Sequence, residues 1–83
     1  MQCLLVYDIP DDRQRTKISE VCLDYGLQRI QYSAFFGELS RNRQEEIMQR
    51  ISRTLGRHEG NVQLFPICEK DLGLRRVIAR GPE

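Results

Sequence analysis

The run Cys3-Leu-Leu-Val-Tyr-Asp8 limits how this chain can fold more than any other stretch. Its apolar and aromatic residues, bounded by Pro10, read as a short buried β-strand around which the other elements must be arranged. The strand ends on a carboxylate. Asp8 stands where a strand leaves the sheet, the place where α/β architectures tend to form sites. Position alone favours a second reading, a polar residue that closes the strand before Pro10, because chemistry is argued from a site and not from a fold.

After this strand, Pro10-Asp11-Asp12 opens a helix, with either aspartate able to cap it and both complementing the positive end of its dipole. Ile18, Val21, Cys22 and Tyr25 recur at helical spacing as one apolar stripe. Gly26 suits the left-handed position that ends a helix. Residues 27–39 are rich in β-formers and too long for one ordinary strand, so they read as two, about 28–32 and 34–39, joined near Ser33. Asn42-x-x-Glu45 resembles a capping-box variant that starts a second helix. Ile47, Met48, Ile51 and Leu55 form its buried stripe, and its arginine-rich outer face reads as solvated, with an i,i+4 pair between Glu46 and Arg50. Residues 61–68 make a further strand, which Pro66 assigns to a sheet edge. A last β-prone run over 72–80 follows.

The element order is β-α-β-β-α-β plus a short C-terminal fifth strand: an α+β, ferredoxin-like plan with an antiparallel four-stranded sheet. Eighty-three residues suffice for one domain, 1–83, and bury only a modest fraction of their surface, which makes association a natural source of stability. The arginine-bearing run 75–80 can cover the edge strand of its own sheet or of a second copy. Pairing across a two-fold axis closes both edges at once, so residues 72–83 are expected to pair across a homodimer.

Composition excludes more than it selects. No apolar run reaches membrane-spanning length, and Met1 leads straight into the strand without room for a signal peptide, so a cytoplasmic location is expected. Cys3, Cys22 and Cys68 are odd in number and widely spaced, unlike a disulfide framework or zinc site, and read as reduced, buried side chains. His58 follows a helix end and reads as a surface residue. A net charge of +1 makes the chain no general attractor of nucleic acid, but eleven Arg against two Lys favour bidentate phosphate contacts. Codon composition produces the same skew, which by itself says nothing about location.

Three segments taken together carry a resemblance: Val6-Tyr7-Asp8-Ile9, Asp11-Asp12-x-x-Arg15-x-Lys17, and Arg29-Ile30-Gln31-Tyr32-Ser33-x-Phe35. In this order, in so short a chain, they resemble the CRISPR-associated protein 2 family, small ferredoxin-like endoribonucleases of CRISPR spacer acquisition. The resemblance implies a metal-dependent endonuclease acting on single-stranded RNA or duplex DNA in antiviral defence. It makes Asp8 the metal-binding carboxylate with Tyr7 beside it, and Arg15 and Arg29 the basic residues near the cleft. Lys17 falls where many members carry Arg or Lys, and Phe35 takes the aromatic position of the hairpin; Tyr7, Asp8, Arg15, Arg29 and Phe35 form the implied catalytic set. Phe36 departs from numerous relatives, which have Glu there, and removes a carboxylate. The resemblance also implies a partner, the CRISPR-associated integrase (protein 1), for which the dimer acts as a bridge.

One Asp per chain is a poor magnesium site, and a dimer supplies two. Mg²⁺ (or Mn²⁺) takes one or two carboxylates and completes its octahedron with water and phosphate oxygens. Arg15, Lys17 and Arg29 would hold backbone phosphates, while Arg75, Arg76 and Arg80 suit a sequence-independent grip on a duplex. Tyr7 and Phe35 can stack on bases or fill the core, and for Phe35 the core is the expectation. Two alternatives to catalysis stay open: a non-catalytic scaffold that bridges integrase subunits, and an RNA-binding or regulatory module on the same plan. The first strand carries no aromatic-plus-basic RNA-recognition signature.

Overall fold

In a computed structural model, which describes residues 1–81, β1 (Gln2–Asp8) leads through α1 (Asp12–Asp24) to β2 (Gln28–Gln31) and β3 (Ala34–Glu38). α2 (Arg41–Leu55), β4 (Asn61–Ile67) and a single helical turn, α3 (Glu69–Leu72), complete the order. The strands form one antiparallel sheet ordered β2-β3-β1-β4. β1 is central, and β4 with Pro66 is an edge, as the missing N–H of proline requires. This is the ferredoxin-like arrangement.

Side chains alternate across a strand, so an unbroken apolar run has to serve two faces. Cys3, Leu5 and Tyr7 are buried, together with Phe35 of β3, beneath Ile18, Val21 and Cys22 of α1 and Ile47 and Ile51 of α2. Both helices therefore cover one face. Leu4 lies directly between Phe36 and Phe65 on the other face, which no strand or long helix covers. Two layers instead of three leave a molecule 37 × 36 × 19 Å in extent. Phe36, the departure from the resembling family, sits on this open face.

Local signals set the helix limits. The Asp11 side chain accepts from the Gln14 backbone N–H at 2.9 Å, which caps α1. Gly26 adopts φ +81°, the left-handed conformation that a side chain would strain. α2 starts earlier than Asn42 implies: Ser40 is its cap, accepting from the Arg43 N–H at 3.2 Å. Leu39, only 2% exposed, and a Gln44 side-chain bond to the Leu39 carbonyl fix where the chain enters that helix. The expected Glu46–Arg50 pair is replaced. Glu46 takes the Tyr25 hydroxyl at 2.6 Å and pairs with Arg43, while Arg50 reaches across to Asp24.

Cys3 and Cys22 are buried as expected, but Cys68 is exposed, because it follows an edge strand that no helix covers at that end. The fifth strand expected over 72–83 is not formed within the protomer. Residues 69–72 turn into α3, and 74–81 have no regular structure. Strand hydrogen bonds need a neighbouring strand in register, and the described tail joins neither open edge of the sheet, β2 or β4. Residues 82 and 83 lie outside the described residues. Among those described, no helix is long and apolar enough to cross a membrane.

Candidate active site at the end of the first strand

Asp8 is the last residue of β1 and is exposed, across the ladder from Asn61 of β4. The next residue, Ile9, is 2% exposed and anchors the chain in the core immediately after the carboxylate. The loop that follows is fastened by one side chain. Arg15 Nη1 donates to the Ile9 carbonyl at 2.6 Å and to the Pro10 carbonyl at 2.9 Å, and its Nη2 pairs with Asp12. A planar guanidinium presents several donors in a fixed fork, so one residue of α1 holds two successive peptide units of the loop. Asp8 takes part in none of the ion pairs among the described residues.

The turn between β2 and β3 closes on the same end of β1. The Tyr7 N–H donates to the Ser33 carbonyl at 3.0 Å, one step beyond the Val6–Ala34 pair, which sets Tyr32 and Ser33 beside the strand's exit. Arg29 Nη1 donates to the Tyr32 carbonyl and holds the turn's shape. Its guanidinium lies 4.8 Å from the Phe35 ring centre and 6.0 Å from that of Tyr32, and Arg15 approaches Tyr32 at the same 6.0 Å. Below, Tyr7 and Phe35 stack with centroids 6.3 Å apart and planes at 23°. Between α1 and this turn runs an open cleft of about 530 Å³, lined by Tyr7, Asp12, Arg15, Ser19, Arg29 and Tyr32 among others.

The structure thus unites Tyr7, Arg15 and Arg29 around one cleft, with Asp8 at the adjoining strand end. It does not bring in the rest. Lys17 lines a separate groove with Pro10, Arg13, Gln14 and His58. Arg75, Arg76 and Arg80 line another with Ile30 and Gln31. Phe35 is 0% exposed, so as a residue acting directly on a substrate it is corrected to packing beneath Arg29. Arg15 is half-buried and largely occupied by backbone carbonyls, which makes it a fastener of the Asp8 loop before it is a phosphate ligand. Tyr32 is the residue to which sequence reading gave no role. The available signal was an aromatic placed at a tight turn between polar neighbours.

Burial decides the ionisation of the groups under the cleft. It raises the Tyr7 hydroxyl above the usual tyrosine range, with the Arg29 charge opposing in part. It pushes the Cys22 thiol up to about 12. Neither becomes an anion near neutral pH, so neither serves as a nucleophile there. Asp11 moves the other way: the Gln14 N–H bonded to it holds its carboxyl below the ordinary range. At the strand end, the exposed hard oxygen donor is the Asp8 carboxylate. Among the described residues, no group of three or more His, Cys, Asp or Glu could hold a metal ion. A hard oxygen donor open to water is the ligand type that Mg²⁺ takes, since that ion keeps most of its waters.

Comparison with known proteins points one way. The family model described as CRISPR associated protein Cas2 matches residues 1–74. The CRISPR-associated endoribonuclease Cas2 2 of Chloroflexus aurantiacus is 53% identical over 78 residues, covering 94% of this chain and 92% of that protein. The crystal structure of Streptococcus pyogenes Cas2 at pH 6.5 has the same fold, with a TM-score of 0.79 at 18% identity over 95% of this chain and 100% of that one. A CRISPR-associated endonuclease Cas1/endonuclease Cas2 fusion of Thermoproteus tenax is 29% identical over 83 residues, covering 99% of this chain and 31% of the fusion.

Proposed function

The chain belongs to the CRISPR-associated Cas2 family, and from that premise we propose that it is a metal-dependent endonuclease that hydrolyses phosphodiester bonds of RNA or DNA in CRISPR adaptation. One observation carries the reading: an exposed carboxylate, Asp8, engaged in no ion pair among the described residues, at a strand end whose loop Arg15 fastens. The endoribonuclease names of the relatives support it.

The working unit is a cytoplasmic homodimer. Residues 1–83 act as one domain, and the tail from residue 72 onward pairs with the second copy. The support is apolar surface without cover: Leu74, Val77 and Ile78 are 69%, 69% and 83% exposed, and Phe65 on the open sheet face is 45% exposed. Each protomer contributes its Asp8 carboxylate to one divalent site. Mg²⁺ or Mn²⁺ bound there supplies an activated water and neutralises charge on the reacting phosphate. Arg29 faces the cleft and holds a backbone phosphate. Arg15 keeps the Asp8 loop in place, and Tyr7 and Phe35 support Arg29 from beneath. Lys17, Arg75, Arg76 and Arg80 follow the strand further out.

A second reading has its own support. In the Thermoproteus tenax fusion, a Cas1 and a Cas2 share one chain. Here the dimer is a bridge for the integrase, the tail arginines grip duplex phosphates, and Asp8 is dispensable. Asp8→Ala, assayed on single-stranded RNA and on duplex DNA with Mg²⁺ or a chelator, separates the two. Loss of cleavage in the mutant and in chelator supports the nuclease. Cleavage that persists unchanged in the mutant removes it. Spacer acquisition that survives Asp8→Ala but is lost on charge reversal of Arg75, Arg76 and Arg80 selects the bridge.

A further inference from the structure

We propose that Tyr32 is a stacking platform for an unpaired nucleobase, and that it makes the cleft beside Asp8 select single-stranded over paired substrate. The inference rests on the nuclease reading for the identity of the site, but its geometry stands by itself. Tyr32 is 74% exposed, although it sits in the turn that closes on the end of β1 and lines the cleft with Arg15 and Arg29. The other two tyrosines of the chain, Tyr7 and Tyr25, are 5% and 8% exposed and belong to the core. A ring kept in water at the mouth of a cleft is unused apolar surface.

The backbone that carries the ring is held, and the ring itself stays exposed. Its backbone carbonyl is fixed by Arg29, and the flanking Ser33 carbonyl is fixed by the Tyr7 N–H. The two guanidiniums stand 6.0 Å from its centre, at the outer limit of cation–π contact. A flat, positively flanked aromatic on a fixed turn is the arrangement that binds a base by its face and the neighbouring phosphates by charge. Every base has such a face, so stacking of this kind is tolerant of sequence. A base paired within a duplex is stacked on both sides and offers no face. The selectivity therefore falls between unpaired and paired, and not between one base and another.

The test uses the full chain and a ten-nucleotide single strand carrying one 2-aminopurine, whose fluorescence drops on stacking, in chelator so that nothing turns over. The wild type is expected to quench the probe. Tyr32→Ala is expected to abolish the quenching and weaken binding about tenfold, while Tyr32→Phe, which keeps the ring, stays within about twofold. Tyr32→Leu, apolar but without a ring, is expected to behave like Tyr32→Ala. Affinity for a duplex of the same length is expected to be equal in wild type and Tyr32→Ala. Unchanged quenching in Tyr32→Ala overturns the proposal, and so does an equal loss on duplex. A shift of Tyr32→Ala to a different oligomeric state in sedimentation also overturns it, since the ring would then serve an interface. The nuclease reading fails separately, on Asp8→Ala cleavage, because the quenching needs neither metal nor turnover.

Discussion

The loop after β1 and the tail after α3 both follow the end of a regular element and meet opposite fates. The loop is served by an arginine of the next helix, Arg15, while the tail carries its own, Arg75, Arg76 and Arg80. In the first, Arg15 is spent on the Ile9 and Pro10 carbonyls and on Asp12, and Ile9 is buried behind them. In the second, Arg75, Arg76 and Arg80 are exposed, as are Leu74, Val77 and Ile78. The difference lies in what lies within reach. Loop carbonyls that leave a strand have no ladder partner, and a guanidinium one helical turn away supplies their donors. Among the described residues, the tail arginines form no ion pair. An arginine of α1 therefore organises the exit of β1, while an arginine in the tail is left for something else.

The largest effect expected tests how firmly the ordered region is held. Phe35→Ala removes a fully buried ring beneath Arg29 and beside Tyr7, and should cost about 3–5 kcal/mol, enough to unfold much of the population in a urea melt. Arg15→Ala comes next, with a loss of about 1–3 kcal/mol as two carbonyls lose charged donors. Arg15→Lys should not restore it, because a single ammonium lacks the fork geometry. Faster amide exchange in residues 9–12 would locate the loss, and an unchanged melt for Arg15→Ala would erase the contrast with the tail.

The tail variants should behave in the opposite way. Replacing Arg75, Arg76 and Arg80 together by Ala should leave the protomer's stability within about 0.5 kcal/mol. Duplex binding should weaken, and the slope of log affinity against log salt should become shallower by about 0.9 for each phosphate that is no longer neutralised. A slope that does not move would remove the tail from the nucleic-acid interface. The smallest effect concerns the cap of α1. The Asp11 pKa is lowered in the folded state, so its contribution is present above the ordinary carboxylate pKa and is lost as pH falls through the folded value. Asp11→Asn keeps an acceptor but no titrating group, and its melting temperature should fall less on acidification than that of the wild type.

Much of the architecture was legible because it is written in short-range signals. The buried face of β1, the stripe of α1, the stop at Gly26 and the edge position of Pro66 each need only a few neighbouring residues to be recognised. The start of α2 was misplaced by two residues because Ser40 and Asn42 are both good caps, and burial of Leu39 chose between them. The candidate site was half legible. Asp8 stood out at a strand end, and Tyr7, Arg15 and Arg29 line one cleft together, which Asp8 itself does not line. Lys17 points to a different groove, and Phe35 is closed off.

By itself, then, the sequence determined the kind and order of the elements from β1 to β4, because hydrophobic period and capping act within a turn or two of chain. Tertiary structure alone decided which partner each polar group takes. Glu46 bonds Tyr25 and pairs with Arg43 in place of the residue four positions on, Arg50 crosses to the neighbouring helix, and Arg15 turns inward to the loop. Such choices depend on which donors and acceptors folding brings within about 3 Å, and the spacing of residues along one element does not contain that information. The tail shows the same principle: a β-prone run becomes a strand only where tertiary structure sets it in register along another strand, and lying near the β2 edge is not enough.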